Sequence, residues 1–258
     1  MPASVASDVP TAETLAFVSA HAPPAPARIL EVGCGDGALA SRLQGMGHQV
    51  VGLDASADAV AQARRRGLDA RVARWPDFEE TPFDVVVFTR SLHHIDPLPQ
   101  AVGQAKKLLK RAGKVLVEDF AFAEIEPLAA EWLHEVLSLL DAARLLRRDG
   151  DGLVGRILRG EGLLAAWHAA HEHDLHSASA MSGCLREHFA RVDEATAPYL
   201  YRYVCAVLEE NADGYRVGSR VLGLEKRFAE AVPLFLIGRR YVGSMPAEPG
   251  TGAVSSSP

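Results

Sequence analysis

The chain predicts a doubly wound α/β fold, and three observations carry that expectation. Five short apolar runs, at 29–32, 49–54, 70–74, 83–88 and 114–119, alternate with helical stretches. A glycine-rich turn, Gly33-Cys34-Gly35-Asp36-Gly37, leads from the first run straight into a helix. The second and fifth runs end on the carboxylates Asp54 and Asp119. Alternation of this kind builds a parallel sheet covered on both faces, with ligands at its carboxyl edge.

Each element has its own signal. Ile29, Leu30 and Val32 read as a short buried strand. The missing side chains of the turn let the main chain approach a ligand, and the helix from Ala38 starts with free N–H groups. The spacing is G-x-G-x-G, not the G-x-G-x-x-G of dinucleotide folds. Asp54 follows about twenty residues later, where a strand-end carboxylate can hold two ribose hydroxyls. Ser56 or Asp58 caps the next helix, which stops at Gly67. A weaker third strand covers 70–74, and β-branched 83–88 makes a clear fourth. A helix over 98–110 ends at Gly113, and the fifth strand follows.

After Phe120 the pattern turns helical as far as about residue 173, with Trp132, Val136, Leu139 and Leu140 at helical spacing. Gly150, Gly152, Gly155 and Gly160 divide this stretch. Helices inserted here form either a lid above the ligand edge or an extra packing layer. Sheet character returns at 191–195 and 199–203, and a helix over 221–232 leads to a last strand at 234–238. The expected organisation is a helical or extended segment at 1–26 and one domain at 27–243. The domain carries a helical insertion at about 121–178, and 244–258 forms a disordered Ser/Pro/Gly-rich tail.

Composition narrows the function. The chain has 258 residues, 48% hydrophobic, enough for one full core with a decoration. A formal charge of -6 argues against a sequence-independent grip on nucleic acid. Basic groups such as Arg64-Arg65-Arg66 sit near helix ends, where cations suit the dipole. Cys34, Cys184 and Cys205 lack metal-ligand spacing and point to a reducing, cytoplasmic setting. The acidic Asp8 and Glu13 predict no secretory leader, and no run is long and apolar enough for a bilayer.

The segment Glu31-Val32-Gly33-Cys34-Gly35-Asp36-Gly37, then Val51-Gly52-Leu53-Asp54, then Phe83-Asp84-Val85-Val86 with Ser91-Leu92-His93-His94, resembles the class I S-adenosylmethionine-dependent methyltransferases. The likeness covers about 27–119 and is nearest to small-molecule enzymes, including the quinone-biosynthesis group. It implies a Rossmann-like, seven-stranded, mostly parallel sheet with helices on both faces and a helical lid after strand five. It also implies methyl transfer from S-adenosyl-L-methionine to O, N or C of a small metabolite. Two alternatives stand beside this: a cofactor-binding protein without turnover, and a protein or RNA methyltransferase. The Asn/Asp-Pro-Pro-aromatic tetrad of adenine and glutamine amino-methyltransferases is missing, as is a Pro-Cys nucleophile. The implied partners are a small-molecule substrate and a second copy in a homodimer, without nucleic acid or membrane.

By the same resemblance, Gly33, Gly35 and Gly37, with Cys34, shape the floor under the methionine part of the cofactor. Glu31 holds either the turn or the bound amine. Asp54 takes the ribose, and Leu53 and Ala55 flank the adenine. Arg74 stands where an acidic residue usually meets the adenine amine, so Asp77 or the backbone of Trp75 substitutes, and Trp75 either stacks there or packs the core edge. Arg90 lies at the cofactor after strand four. His93 is the candidate general base on the active-site wall, and Glu118 is a second catalytic candidate or a helix cap. His94, His171 and Tyr201 are substrate-binding candidates. Alternation would place Tyr199, Tyr201 and Tyr203 on one strand face. His168, His171, His173 and His176 fit no zinc motif, and no metal is expected.

Overall fold

The structure is a computed structural model and describes residues 4–147, 152–171, 175–232 and 235–246. Among these residues seven strands form one sheet. They are β1 (Arg28–Val32), β2 (Gln49–Asp54), β3 (Asp69–Val72), β4 (Phe83–Thr89), β5 (Leu109–Phe120), β6 (Arg191–Ala197) and β7 (Gly238–Ser244). Their order is β3-β2-β1-β4-β5-β7-β6. The first five are parallel, while β7 runs antiparallel to both β5 and β6.

Strand period dictates the two layers. Ile29, Val85, Val87 and Leu116 point to one face and join Val18, Leu39, Leu43 and Val60 of α1 (Asp8–His21), α2 (Ala38–Gly45) and α3 (Ala57–Arg65). Leu30, Val86, Phe88 and Val117 point to the other face. There they meet Val102 of α4 (Leu98–Lys107) and Met181 and Leu185 of α8 (Ala178–His188). Residues buried on both faces explain the unbroken apolar runs of β1 and β4.

A third core lies beyond the end of β5. It unites α5 (Pro127–Ala142), α6 (Leu153–Leu158), α7 (Leu163–His171), α9 (Tyr201–Val207) and α10 (Ala212–Ala231) around Leu133, Leu137, Trp167, Val204 and Phe235. Phe120 ties this cap to the sheet, stacking on Tyr199 at 4.4 Å and meeting His171 edge-on at 5.4 Å.

Several expectations need correction. The run 199–203 enters a helix, α9, because the buried Glu225 of α10 accepts hydrogen bonds from the N–H groups of Tyr199, Leu200 and Tyr201 at 2.7, 3.0 and 2.8 Å. Tertiary capping overrides the strand preference of tyrosine here. Consequently Tyr199 and Tyr203 are neighbours with ring centroids 6.0 Å apart, and Tyr201 is not on their face. The last strand is not 234–238 but β7, since Phe235 and Ile237 are drawn into the cap core instead. Leu234 lies outside the described residues. The fourth helix ends at Lys107, and β5 begins at Leu109. The third strand ends at Val72. Of the expected tail, Ser244 closes β7, while 247–258 lie outside the described residues.

Candidate functional site

At the carboxyl edge of β1, β2 and β4 lie two adjoining cavities that share Gly33 and Arg90. The larger, of about 570 Å³, reaches from the start of α1 across the glycine turn to Thr89 and Arg202. The smaller, of about 420 Å³, is bounded by Leu53, Asp54, Ala55, Trp75, Ser91 and His94 among others. Together they form a two-lobed cleft at the switch point of the sheet, where β1 is flanked by β2 and β4.

The turn is built for close approach. Gly33, Gly35 and Gly37 have φ of 77°, 54° and 77°. A side chain at Gly33 would stand 2.6 Å from Ser91 Cβ, and one at Gly37 would stand 2.3 Å from Leu68 Cδ1. Glycine is therefore required by both backbone and space at Gly33 and Gly37, and by the backbone alone at Gly35. Gly37 serves the start of α2 and does not line either lobe. Asp54 locks the turn: Gly35 N–H donates to its Oδ2 at 2.9 Å and Ser56 N–H to its Oδ1 at 2.8 Å. Each oxygen retains a lone pair for a ligand hydroxyl.

Glu31 is buried beside the turn. Thr89 donates to its Oε1 at 3.3 Å, while Oε2 is buried with no partner. Burial, the main cause, pushes its carboxyl up to about 8. An orphaned carboxylate oxygen in a cavity is a place for a ligand donor. Cys34 lines the larger lobe, and burial, with the Glu31 charge next, pushes its thiol up to about 12. It is no thiolate nucleophile at neutral pH. Arg90 takes the left-handed φ of 55° between the lobes, anchored by its N–H on the Glu118 carbonyl at 2.7 Å. A non-glycine residue held this way marks a site that tertiary contacts enforce.

Trp75 lines the smaller lobe while its indole N–H donates to the Ala101 carbonyl at 3.0 Å, so the ring stands on the cavity wall at the edge of the core. Arg74 lines this lobe too, and Asp77 does not.

The paired histidines part: His94 lines the cleft as a substrate-binding candidate would, whereas His93 does not reach the active-site wall. His93 is 4% exposed, its Nδ1 stands 2.6 Å from Asp119 Oδ1, and it lines neither lobe. His94 is exposed and lines the smaller lobe. The local turn Leu92–His94 drives His93 inward against Phe120. Glu118 also stays out of both lobes. Its Oε1 takes Arg202 and Thr14, and its Oε2 takes Arg240 at 3.2 Å, so it anchors cations.

His171 bonds Trp167 carbonyl at 2.8 Å and Tyr203 hydroxyl at 2.9 Å inside the cap, away from the lobes. Tyr201 is 1% exposed and lines neither lobe. His176 instead reaches the Ile95 carbonyl at 3.0 Å, and His173 lies outside the described residues. Among the described residues no three His, Cys, Asp or Glu side chains gather as a metal site.

The sequence reading missed Val5, Asp8, Thr11 and Thr14 of the N-terminal region, together with Arg42, Arg66, Thr89 and Arg202. The Ser7-Asp8-Val9-Pro10 start of α1 is a helix signal that could have shown a structured segment, though not where it packs. Arg202 carried no local signal.

Comparison with known proteins agrees with this geometry. A family described as a methyltransferase domain matches residues 9–173. The ubiquinone biosynthesis O-methyltransferase of Xanthomonas oryzae pv. oryzae is 35% identical over 177 residues, covering 65% of this chain and 71% of that protein. An uncharacterized methyltransferase of Schizosaccharomyces pombe is 32% identical over 126 residues, covering 45% and 48%. The ubiquinone biosynthesis O-methyltransferase of Paraburkholderia phytofirmans is 32% identical, covering 52% and 64%. The chain thus spans 48% and 64% of the length of the Schizosaccharomyces and Paraburkholderia relatives.

Among solved structures, the Haemonchus contortus phosphoethanolamine N-methyltransferase 2 with S-adenosyl-L-methionine superposes with a TM-score of 0.56 at 14% identity, covering 92% and 53%. A possible histamine N-methyltransferase from Thermotoga maritima gives 0.51 at 14%, covering 93% and 91%. At such identity these two share the fold alone. The glycine turn, the strand-end Asp54 and the family match thus converge: the chain belongs to the methyltransferase-domain family and has the fold of its S-adenosylmethionine-dependent members.

Proposed function

We propose that the chain transfers a methyl group from S-adenosyl-L-methionine to an oxygen or nitrogen of a small metabolite. The observation that carries this is the two-lobed cleft joined at Gly33 and Arg90, with Asp54 on one side and the orphaned Glu31 Oε2 on the other. The residues fit the cofactor. Asp54 suits a ribose, Leu53, Ala55 and Trp75 give an apolar wall for a base, and Glu31 Oε2 meets an ammonium. When bound, the cofactor supplies a sulfonium-linked methyl group.

The protein's own task is mainly alignment, since displacement at a good leaving group needs little covalent help. Gly33 and Gly35 allow close main-chain approach, and the clasp of Ser91 hydroxyl on the Val32 carbonyl at 2.6 Å holds β1 and β4 together at the cleft. His94, rather than His93, presents an imidazole to the cavity and is the candidate proton acceptor. Lobes of this size suit a metabolite better than a polymer. The cap helices α5–α7, which do not line either lobe, are read as support for α9, whose Tyr203 packs on Trp167 and His171 of α7. The reading also includes a cytosolic setting, supported by three buried free cysteines, and a homodimer, which light scattering tests.

Calorimetric titration with S-adenosylhomocysteine tests the cofactor assignment. An acceptor screen that follows release of the same product then tests turnover. Absence of any affinity would remove the reading, and binding without turnover across the screen would leave a cofactor-binding protein.

A further inference from the structure

Four arginines line the larger lobe, and two are neutralised locally, Arg42 by Asp8 and Arg66 by Asp36. The other two are not. Arg90 has no ion pair among the described residues. Arg202 shares the Glu118 carboxylate with Arg240, so two guanidinium groups meet one carboxylate. Glu13 stands 4.0 Å from Arg240 but is engaged by Lys226 at 2.7 Å. The Arg202 side chain is 9% exposed, and its buried Nε has no acceptor. The remaining acid of the lobe, Glu31, has its carboxyl pushed up by burial, and when a cofactor ammonium ionises it the two charges offset each other, so it neutralises neither arginine. The lobe therefore holds an excess of positive charge. A cationic acceptor would add to it, whereas an anion relieves it.

We propose that Arg202, assisted by Arg90, binds a carboxylate of the methyl acceptor, so that the substrate is a small acid carrying the nucleophilic atom. This rests on the methyltransferase reading. Guanidinium groups match carboxylates in shape and charge, and a fixed one loses little freedom on binding. Arg202 is fixed: its Cζ lies 5.7 and 5.4 Å from the Tyr199 and Tyr201 rings, and Thr14 and Glu118 take its Nη2. Glu118 is the positioning residue for both cations, holding Arg202 through its carboxylate and the Arg90 main chain through its carbonyl.

Calorimetry on the full chain loaded with S-adenosylhomocysteine tests the proposal with matched pairs. Hydroxybenzoates and aliphatic hydroxy acids are compared with their primary amides. At least one acid is expected to bind about tenfold tighter than its amide, the scale of a charge-assisted hydrogen bond. Arg202→Gln and Arg90→Gln should each abolish the preference, and Arg202→Lys should retain part of it. Arg90 is exposed, so its variant keeps the test open if Arg202→Gln does not fold. Acid and amide behaving alike across the panel, including no binding of either, overturns the proposal. So does a second result: Arg202→Gln weakening S-adenosylhomocysteine while leaving 5′-methylthioadenosine, which lacks the carboxylate, unchanged. That outcome assigns Arg202 to the cofactor. Failure of the wild-type chain to bind S-adenosylhomocysteine would instead sink the methyltransferase reading itself.

Discussion

The two lobes of the cleft are assembled in different ways. The smaller draws Val32, Gly33, Leu53, Asp54 and Ala55 from two neighbouring strand ends of one βαβ unit, and its wall is completed by the segments that follow β3 and β4. The larger takes Asp8 and Thr14 from α1, the glycine turn, Thr89 and Arg90 from the end of β4, and Arg202 from α9. For the first, the ends of β1 to β4 and the turns that follow them suffice, without the cap. The second depends on tertiary contacts, above all on Glu118 and Glu225, two buried carboxylates that hold α9 in place. One lobe should therefore survive damage to the cap and the other should not.

The largest effect is expected at Glu225. Glu225→Ala removes the acceptor for three buried N–H groups at the start of α9, at a cost of about 3 kcal/mol. Urea unfolding should register that loss, and a variant as stable as the wild type would break the comparison. Asp54→Ala acts on the other lobe. It should lower affinity for S-adenosylhomocysteine at least tenfold, about 1.4 kcal/mol, in a protein that still folds. Unchanged binding would remove the ribose assignment.

Glu31 gives a pH signature. Its carboxyl is raised from 4.5 to about 8, so the folded chain holds a proton there that the unfolded chain has lost. Its contribution to stability is full below pH 4.5 and is lost as pH rises toward 8. Glu31→Gln should flatten stability across that window. A cofactor ammonium would draw off the proton, so calorimetry in buffers of different ionisation enthalpy should detect release of up to one proton on binding. The smallest effect is expected for His171→Ala, which loses the Tyr203 hydroxyl bond for about 1 kcal/mol while S-adenosylhomocysteine affinity stays unchanged. A tenfold fall in that affinity would mean the cap reaches the smaller lobe.

How legible the site was follows the same division. Gly33, Gly35, Asp54, Ala55 and Trp75 were readable because a strand, a tight turn and a strand-end acid leave local marks in the chain. His93 and His94 both carry pocket chemistry in sequence, yet only His94 lines the cleft, since adjacent residues on a short turn take opposite environments and Asp119 and Phe120 decide which one is buried. Tyr201 and His171 looked like pocket residues by type, but the apolar cap had first claim on them.

By itself the sequence determined the alternation of β1 to β5 with their helices, the glycine turn, and Asp54 at the sheet edge. Each of these depends on backbone freedom or on a two-residue period, both of which act within a few residues. The tertiary structure alone decided that 199–203 is not a strand, that β7 includes the charged Arg239 and Arg240, and that Arg202 enters the larger lobe. Those outcomes depend on partners far along the chain: Glu225 for α9, Glu118 and Glu124 for the arginines. A buried carboxylate chooses its donors by proximity in the folded state, and no local pattern of residues encodes that choice.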